Sequence, residues 1–382
     1  MIAPPDRAAV ADLVGPDLAT VPLERAETIP SAWYVDPRFH DLDREAVFGR
    51  TWQHVGHVSQ VQAAGDHVLA TVAGNPVIAV RGKDRVLRGF FNVCRHRGGP
   101  LALHDGHDDM LQCKYHGWTY QLDGMLRGVP HFNRVELFDK KDHGLVPVPL
   151  DTWEGLIFAN LTDSAGPVRE CLRGAAERIL PMRLPELRFA RRVDYEVRCN
   201  WKVYMDNFLE GYHVPYVHPE LMKLYDYQSY VTEVHDWYSL QVGPLSGADN
   251  VYGTREGEAL YYCLFPNFML NILPGRLQTN LVVPLAADRC RVEFRYYYAD
   301  VESPSARRLM NEDHEFSDKV QQEDIEICER VQEGLASRAY DRGRFSVAFE
   351  SGVYHFQQLL KAAYRKWLES APADQGRGDR KA

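Results

Sequence analysis

Nowhere in these 382 residues do about 18 apolar residues run together, which excludes an ordinary membrane-spanning helix. The opening stretch from Met1 to Ala19 lacks the unbroken apolar run of a secretory signal, because Pro4, Pro5, Asp6, Arg7 and Asp12 interrupt it. A cytoplasmic, reducing location is therefore the expectation. Positive charge is also in short supply: 44 Lys and Arg against 53 Asp and Glu leave a formal net charge of -9, the wrong sign for a phosphate-backbone partner. The seven cysteines (94, 113, 171, 199, 263, 290 and 328) are odd in number and follow no framework spacing, so a disulfide scaffold is a poor reading. No Gly-x-Gly-x-x-Gly follows a strand-like run, so no built-in nicotinamide or flavin site is expected and electrons must come from a separate reductase.

What remains is an ordinary globular composition, 45% hydrophobic and 25% charged, in a chain long enough for two domains. Residues 1–42 read as a polar, proline-containing N-terminal segment that becomes ordered at Trp33-Tyr34. From 43 to 162 the chain reads as a small β domain. Runs at 67–72, 76–80 and 85–91 are separated by hairpin punctuation at Gly74-Asn75 and Gly82-Lys83-Asp84. From 163 to 382 the character changes. A helix is expected over 168–182, a strand over 193–199, and a β meander over 260–272, 277–284 and 291–298. Two helices, over 304–335 and 350–369, close the chain, followed by a frayed polar tail from Ala371.

Two of the cysteines stand beside histidines. Cys94-x-His96 and Cys113-x-x-His116 are separated by sixteen residues and supply two thiolates and two imidazoles. That set suits a Rieske [2Fe-2S] centre, where two cysteines hold one iron and two histidines the other. It also contains the ligand types of a structural zinc, although zinc spacings usually leave two to four residues between paired ligands and Cys94 and His96 have one. Gly98-Gly99-Pro100 and Gly117-Trp118 follow the two halves and offer low-bulk loops able to wrap a cluster.

A second set lies in Asp206-Asn207-Phe208-Leu209-Glu210-Gly211-Tyr212-His213-Val214-Pro215-Tyr216-Val217-His218. On a regular helix His213 and His218 would sit roughly 140° apart, at about 100° per residue, so they could share a metal only if the helix is distorted. Pro215 is the expected source of that distortion. Two histidines and a carboxylate are the usual holders of oxygen-activating Fe(II), because they leave coordination positions open. On the 304–335 helix Leu309, Phe316, Val320, Ile327 and Val331 form an apolar stripe, with Glu323 and Asp324 both close to it. A carboxylate there needs a metal or a cation as partner, and periodicity does not choose between the two residues.

With Cys113-x-x-His116-Gly117-Trp118 the chain resembles the Rieske ferredoxin domain of ring-hydroxylating oxygenases, and the likeness extends through nearly all of its length. The resemblance implies an α+β protein: an all-β Rieske domain, then a catalytic domain with a curved antiparallel sheet flanked by helices, of the helix-grip, START-like kind. It implies a [2Fe-2S] cluster on Cys94, His96, Cys113 and His116, and a mononuclear Fe(II) on His213, His218 and Asp324. It places Glu210 and Asn207 in the catalytic machinery, with Glu210 bridging to the cluster of a neighbouring subunit, so that a homotrimer is expected. Aromatic dioxygenases of this family carry Asp at the bridge; Glu210, together with Trp33-Tyr34 and the run from Ile325 to Leu335, is more similar to the choline, betaine and carnitine monooxygenase group. The expected activity is O2-dependent oxidation of a small quaternary ammonium compound by hydroxylation or N-demethylation. An aromatic ring-hydroxylating mono- or dioxygenase and a Rieske electron-transfer protein without oxygenase activity are the other readings. Dense aromatic residues suit either substrate: Tyr204, Phe208, Tyr212, Tyr216, Tyr225, Tyr227, Tyr230, Trp237, Tyr238, Phe265 and Phe268.

Overall fold

The computed structural model of the protein describes residues 5–162, 165–246 and 257–370. The first part of the chain is built from short antiparallel strands. A five-stranded sheet carries the hairpin Asp66–Val72/Asn75–Arg81 and the strand Leu87–Phe91 at its centre, and a three-stranded sheet of Leu111–Gln112, Thr119–Tyr120 and Leu126–Gly128 stands beside it. The hairpin turn falls one residue earlier than the sequence suggested. Ala73 and Gly74 both take positive φ, +46° and +76°, the two-residue turn whose twist matches the flanking strands, and Asn75 already pairs with Val72.

The second part is organised on a seven-stranded antiparallel sheet in the spatial order 188–197, 289–298, 276–286, 268–273, 258–264, 238–244, 231–234. The expected strand at 193–199 begins earlier and ends at Val197, because Asn200 caps the next helix through the Lys202 N–H. The expected run from 260 to 272 is two strands, split by the turn after Leu264. The helix expected over 168–182 is instead two short pieces, Val168–Cys171 and Ala175–Ile179, interrupted where Gly174 takes φ +86°. The closing helices are Pro304–Leu335 and Ser351–Glu369. The expected tail from Ala371 lies outside the described residues.

Alternation along the strands sends two unlike sets of side chains to the two faces. Leu240, Tyr262, Leu270 and Leu277 pack on one face with Ile179 and Leu184 in an apolar core. The other face carries a polar row across five strands, Gln241, Tyr261, Asn271, Gln278 and Tyr296, each the cross-strand partner of the next. The helices 201–208 and 304–335 lie over this polar face, and the space between them is the cavity described below.

The N-terminal segment packs on this second part. Ile29, Trp33, Phe39 and Leu42 are buried in one cluster with Trp201, Phe356 and Tyr364. Asp43 collects three donors there: the Trp201 indole N–H at 2.7 Å, the Lys202 ammonium and the Tyr364 hydroxyl. Burial pulls the Lys202 ammonium down from its ordinary range and Asp43 opposes that shift. Nearby, Tyr34 donates to Asp206 at 2.5 Å, and burial lifts the Asp206 carboxyl to about 7. Among the described residues no helix is long and apolar enough to cross a membrane.

Candidate metal centres

Two loops at one end of the β domain bring Cys94, His96, Cys113 and His116 together. Each loop closes on its own cysteine: Gly98 N–H donates to the Cys94 carbonyl at 3.0 Å, and Gly117 N–H to the Cys113 carbonyl at 3.1 Å. Gly98 and Gly117 hold φ of +73° and +72°, which side chains rarely adopt, and a Cβ on Gly99 would fall 2.9 Å from the Cys113 sulfur. The loops are cross-braced by the Lys114 N–H to Pro100 carbonyl bond at 2.9 Å. Tyr120 reaches between them, its oxygen 3.2 Å from the Cys94 sulfur and 3.0 Å from the Arg95 nitrogen.

The donor set fits a two-iron cluster. Both sulfurs are buried, burial raises the Cys94 thiol, the Tyr120 hydroxyl opposes the shift and adjacent Cys113 adds to it, so the pair favours a cationic partner. The two imidazoles lie together at the open side, their centroids 4.9 Å apart, with His96 stacked on Trp118 at 4.8 Å. His96 Nδ1 is buried without a hydrogen-bond partner, which a metal bond would satisfy.

The second set is assembled by a break in helical structure. The helix Trp201–Phe208 stops, and after Glu210 the chain makes a single turn, Val214–Val217, that His213 and His218 flank on either side. Pro215 is not where the distortion occurs. It sits in the first turn, where a missing N–H costs nothing, and the chain turns at His218 instead, with φ -121° and ψ 68°. Glu210 likewise acts from a loop and not from a helical turn. Its Oε1 lies 2.7 Å from His213 Nδ1 and its Oε2 accepts the His213 backbone N–H at 3.0 Å.

Glu323 does the same for the other imidazole, with Oε2 2.7 Å from His218 Nδ1. Because a carboxylate can only accept, both Nδ1 atoms donate, and both Nε2 atoms are left as the metal-facing lone pairs. They converge on Asp324, whose Oδ1 is 3.0 Å from His218 Nε2 and 3.8 Å from His213 Nε2. The donor atoms of His213, His218 and Asp324 all lie within 4.8 Å of one another, the only such set of three among the described residues. Asn207 donates to Asp324 Oδ1 at 2.7 Å and fixes that carboxylate from the helix 201–208. Burial by itself would lower the His218 imidazole; Asp324 and Glu323 outweigh it and raise it, which marks a cluster built around a positive charge. The chemistry of the set suits a divalent iron with open positions.

A cavity of about 130 Å³ opens from this triad along the polar face of the sheet. Of the aromatic residues singled out in the sequence, Tyr204, Phe208, Tyr225 and Tyr230 line it. Tyr212 and Tyr216 are exposed, Tyr238 packs in the opposite core, and Trp237, Phe265 and Phe268 line a different cavity. Tyr261, Phe294 and Phe316 complete the wall. Alternation in the strands 258–264 and 289–298 puts Tyr261 and Phe294 on the cavity side, a signal readable only once the register is known.

The 304–335 helix differs most from the sequence reading. Its buried residues are Asp313, Ser317, Gln321, Cys328, Gln332 and Leu335, while Leu309 and Val331 are exposed. The buried stripe is largely polar, and its side chains reach partners: Ser317 donates to Gln278 at 3.1 Å, Gln321 accepts from Tyr204 at 2.6 Å, and Gln332 accepts from the Asn200 N–H at 2.8 Å.

Comparison with known proteins gives a consistent picture. Residues 51–139 match the Rieske [2Fe-2S] domain and residues 184–366 the ring hydroxylating alpha subunit catalytic domain. The chain is 35% identical to the chloroplastic choline monooxygenase of Arabidopsis thaliana over 355 residues, 89% of this chain and 83% of that protein. It is 31% identical to the carnitine monooxygenase oxygenase subunit of Escherichia coli (strain K12), over 93% of this chain and 98% of that protein. A solved quaternary ammonium Rieske monooxygenase, described in terms of carnitine oxidation and inter-subunit electron transfer, superimposes with a TM-score of 0.85 at 29% identity, covering 91% of this chain and 99% of its own. Naphthalene 1,2-dioxygenase from Rhodococcus sp. shares the fold, with a TM-score of 0.75 at 22% identity over 90% of this chain and 95% of its own.

Proposed function

We propose, from the premise that this chain belongs to the family of Rieske-type ring-hydroxylating oxygenase alpha subunits, that it is a monooxygenase acting on a small quaternary ammonium compound. The observation that carries the reading is the convergence of His213, His218 and Asp324 at one end of an aromatic-walled cavity, in a chain that also presents the Cys94, His96, Cys113, His116 loops. The catalytic domain makes a bare electron-transfer protein an insufficient description. Quaternary ammonium is favoured over an aromatic ring because the curated relatives named above act on choline and carnitine, and because the faces of aromatic rings attract such cations.

In this reading Cys94, Cys113, His96 and His116 hold a [2Fe-2S] cluster, and His213, His218 and Asp324 hold one Fe(II). The two centres supply stored electrons and activation of O2 when bound. The protein's own groups set the geometry. Glu210 and Glu323 lock the two imidazoles in one tautomer, Asn207 holds Asp324, and the cavity walls keep the substrate beside the open side of the triad. Electrons enter from a separate NAD(P)H-dependent reductase, in the cytoplasm. Oxygen uptake in the presence of such a reductase checks the assignment: trimethylammonium compounds should stimulate it, and simple aromatic acids should not. Stimulation by the aromatic acids alone would transfer the protein to the other branch of the family.

Glu210 holds His213 with both oxygens, Oε1 at the ring and Oε2 at the backbone N–H, and its loop lies beside exposed Tyr212 and Tyr216. From there it can receive His116, itself exposed, from a neighbouring copy, which requires a ring of subunits and is met by a homotrimer. Light scattering should give three times the chain mass. Glu210→Gln should keep both metals and lower turnover about 10- to 100-fold, the usual loss when a partner behind a metal ligand is removed. A monomer with full turnover is incompatible with the bridge.

A further inference from the structure

Three cysteines outside both metal centres meet in the second part of the chain. Cys199 follows the strand 188–197, Cys290 enters the strand 289–298 opposite Val197, and Cys328 lies on the helix 304–335. All three are buried, with no thiol more than 1% exposed. Cys290 and Cys328 both bond to the Cys199 sulfur. Those bonds, acting against burial, hold the Cys199 thiol below its ordinary range and raise its two neighbours. The His213 triad is the only set of three donors within 4.8 Å of one another among the described residues, so the thiols make no ready metal site. Packing by itself asks here only for small apolar side chains; what sulfur adds is electrons that are readily given up.

The cluster stands directly behind the triad. Cys328 follows Asp324 by four residues, one helical turn, or about 6 Å along the axis at about 1.5 Å per residue. Tyr204 is within reach of both: it lines the cavity, and its hydroxyl is raised first by burial and then by Asp324 and Cys328. We infer that these thiols are an internal reductant for the mononuclear site: when an oxidant made there meets no substrate, Cys199 and an adjoining thiol are oxidised to a disulfide instead. One hydrogen peroxide and two thiols give one disulfide and two waters. The O–O bond breaks, an S–S bond forms, the two sulfurs give up two electrons, and their protons leave with the oxygens. In turnover the same oxidising equivalent comes from O2 with two electrons from the reductase and two protons. The inference rests on the oxygenase reading of the triad and is independent of which compound is the substrate.

The test treats the purified, metal-loaded protein with hydrogen peroxide in the absence of substrate, beside the Asp324→Ala variant, which should keep the cluster and lack the mononuclear iron. The remaining thiols are then alkylated under denaturing conditions and the peptides mapped by mass spectrometry. The loaded protein should lose about two thiols per chain, the amount in one disulfide, recovered as a link from Cys199 to Cys328 or Cys290. That loss should precede any reaction of Cys171, the half-buried cysteine that peroxide from solution meets more easily. Asp324→Ala should keep its thiols over the same time. If that variant does not fold, the unaltered protein stripped of its mononuclear iron by a ferrous chelator is the same control. Equal loss with and without the iron, loss that begins at Cys171 and moves inward, or intact thiols in the loaded protein would overturn the inference and leave the cysteines as core packing. Iron analysis before peroxide is added keeps the two readings apart. About two irons per chain in the unaltered protein would sink the oxygenase reading itself, whereas about three irons with intact thiols would sink the internal reductant alone.

Discussion

Asp324→Ala should leave the protein coloured and inactive, with iron falling from about three to about two per chain while acid-labile sulfide stays constant. Among the described residues Asp324 is the only carboxylate whose oxygen lies near both Nε2 atoms, at 3.0 and 3.8 Å, so its removal leaves two imidazoles that cannot define a three-point site. The cluster loops are in a separate part of the chain and, among the described residues, share no hydrogen bond with it. Glu323→Ala is the informative contrast. It removes the group behind His218 and not a ligand, so iron should still bind, with affinity lower by about 10- to 100-fold. Iron and sulfide analysis of the two variants beside the parent separates the roles. Three irons per chain in Asp324→Ala would show that another residue closes the site.

The second large effect is on stability. Asp43→Ala should lower the thermal midpoint by on the order of ten degrees, because it leaves the Lys202 ammonium, the Trp201 indole and the Tyr364 hydroxyl without their shared acceptor in a fully buried position. Breaking a buried pair from one side costs about 3–5 kcal/mol, much of it the uncompensated charge left behind. Asp43→Leu combined with Lys202→Met should be milder than Asp43→Ala, since it removes both charges together. A calorimetric scan of the three proteins decides it, and a single variant no less stable than the double would show that the pair is solvated. Lys202 opens the helix that carries Asn207, so loosening this anchor should also raise the loss of iron on dilution.

These expectations differ in how far they could be read from residues alone. The cluster loops were legible because they are local: cysteine and histidine one or two positions apart, followed by glycines that take left-handed φ, carry the whole arrangement within short segments. The histidine pair was legible as a pair, but its geometry was not. Pro215 suggested the distortion and turned out to begin a short helical turn, with the actual break at His218. For the long helix the sequence pointed to an apolar stripe through Leu309 and Val331, which are exposed, because periodicity weights apolar residues and this helix buries a polar stripe. Such a stripe is stabilised by partners for its polar side chains, and those partners, Gln278, Tyr204 and Arg276, come from strands and helices far away in the chain.

The sequence by itself determined the donor types, the spacing within each loop, the division into a β part and a sheet-and-helix part, and the family to which the chain belongs. Only the tertiary structure decided which carboxylate meets the two imidazoles and which stands behind one of them, since Glu323 and Asp324 are neighbours in sequence and point to different ring nitrogens. It also decided that Arg276 faces the cavity, because the strand's register, set by pairing with its neighbours, chooses the face each side chain takes, and a shift of one residue would reverse it.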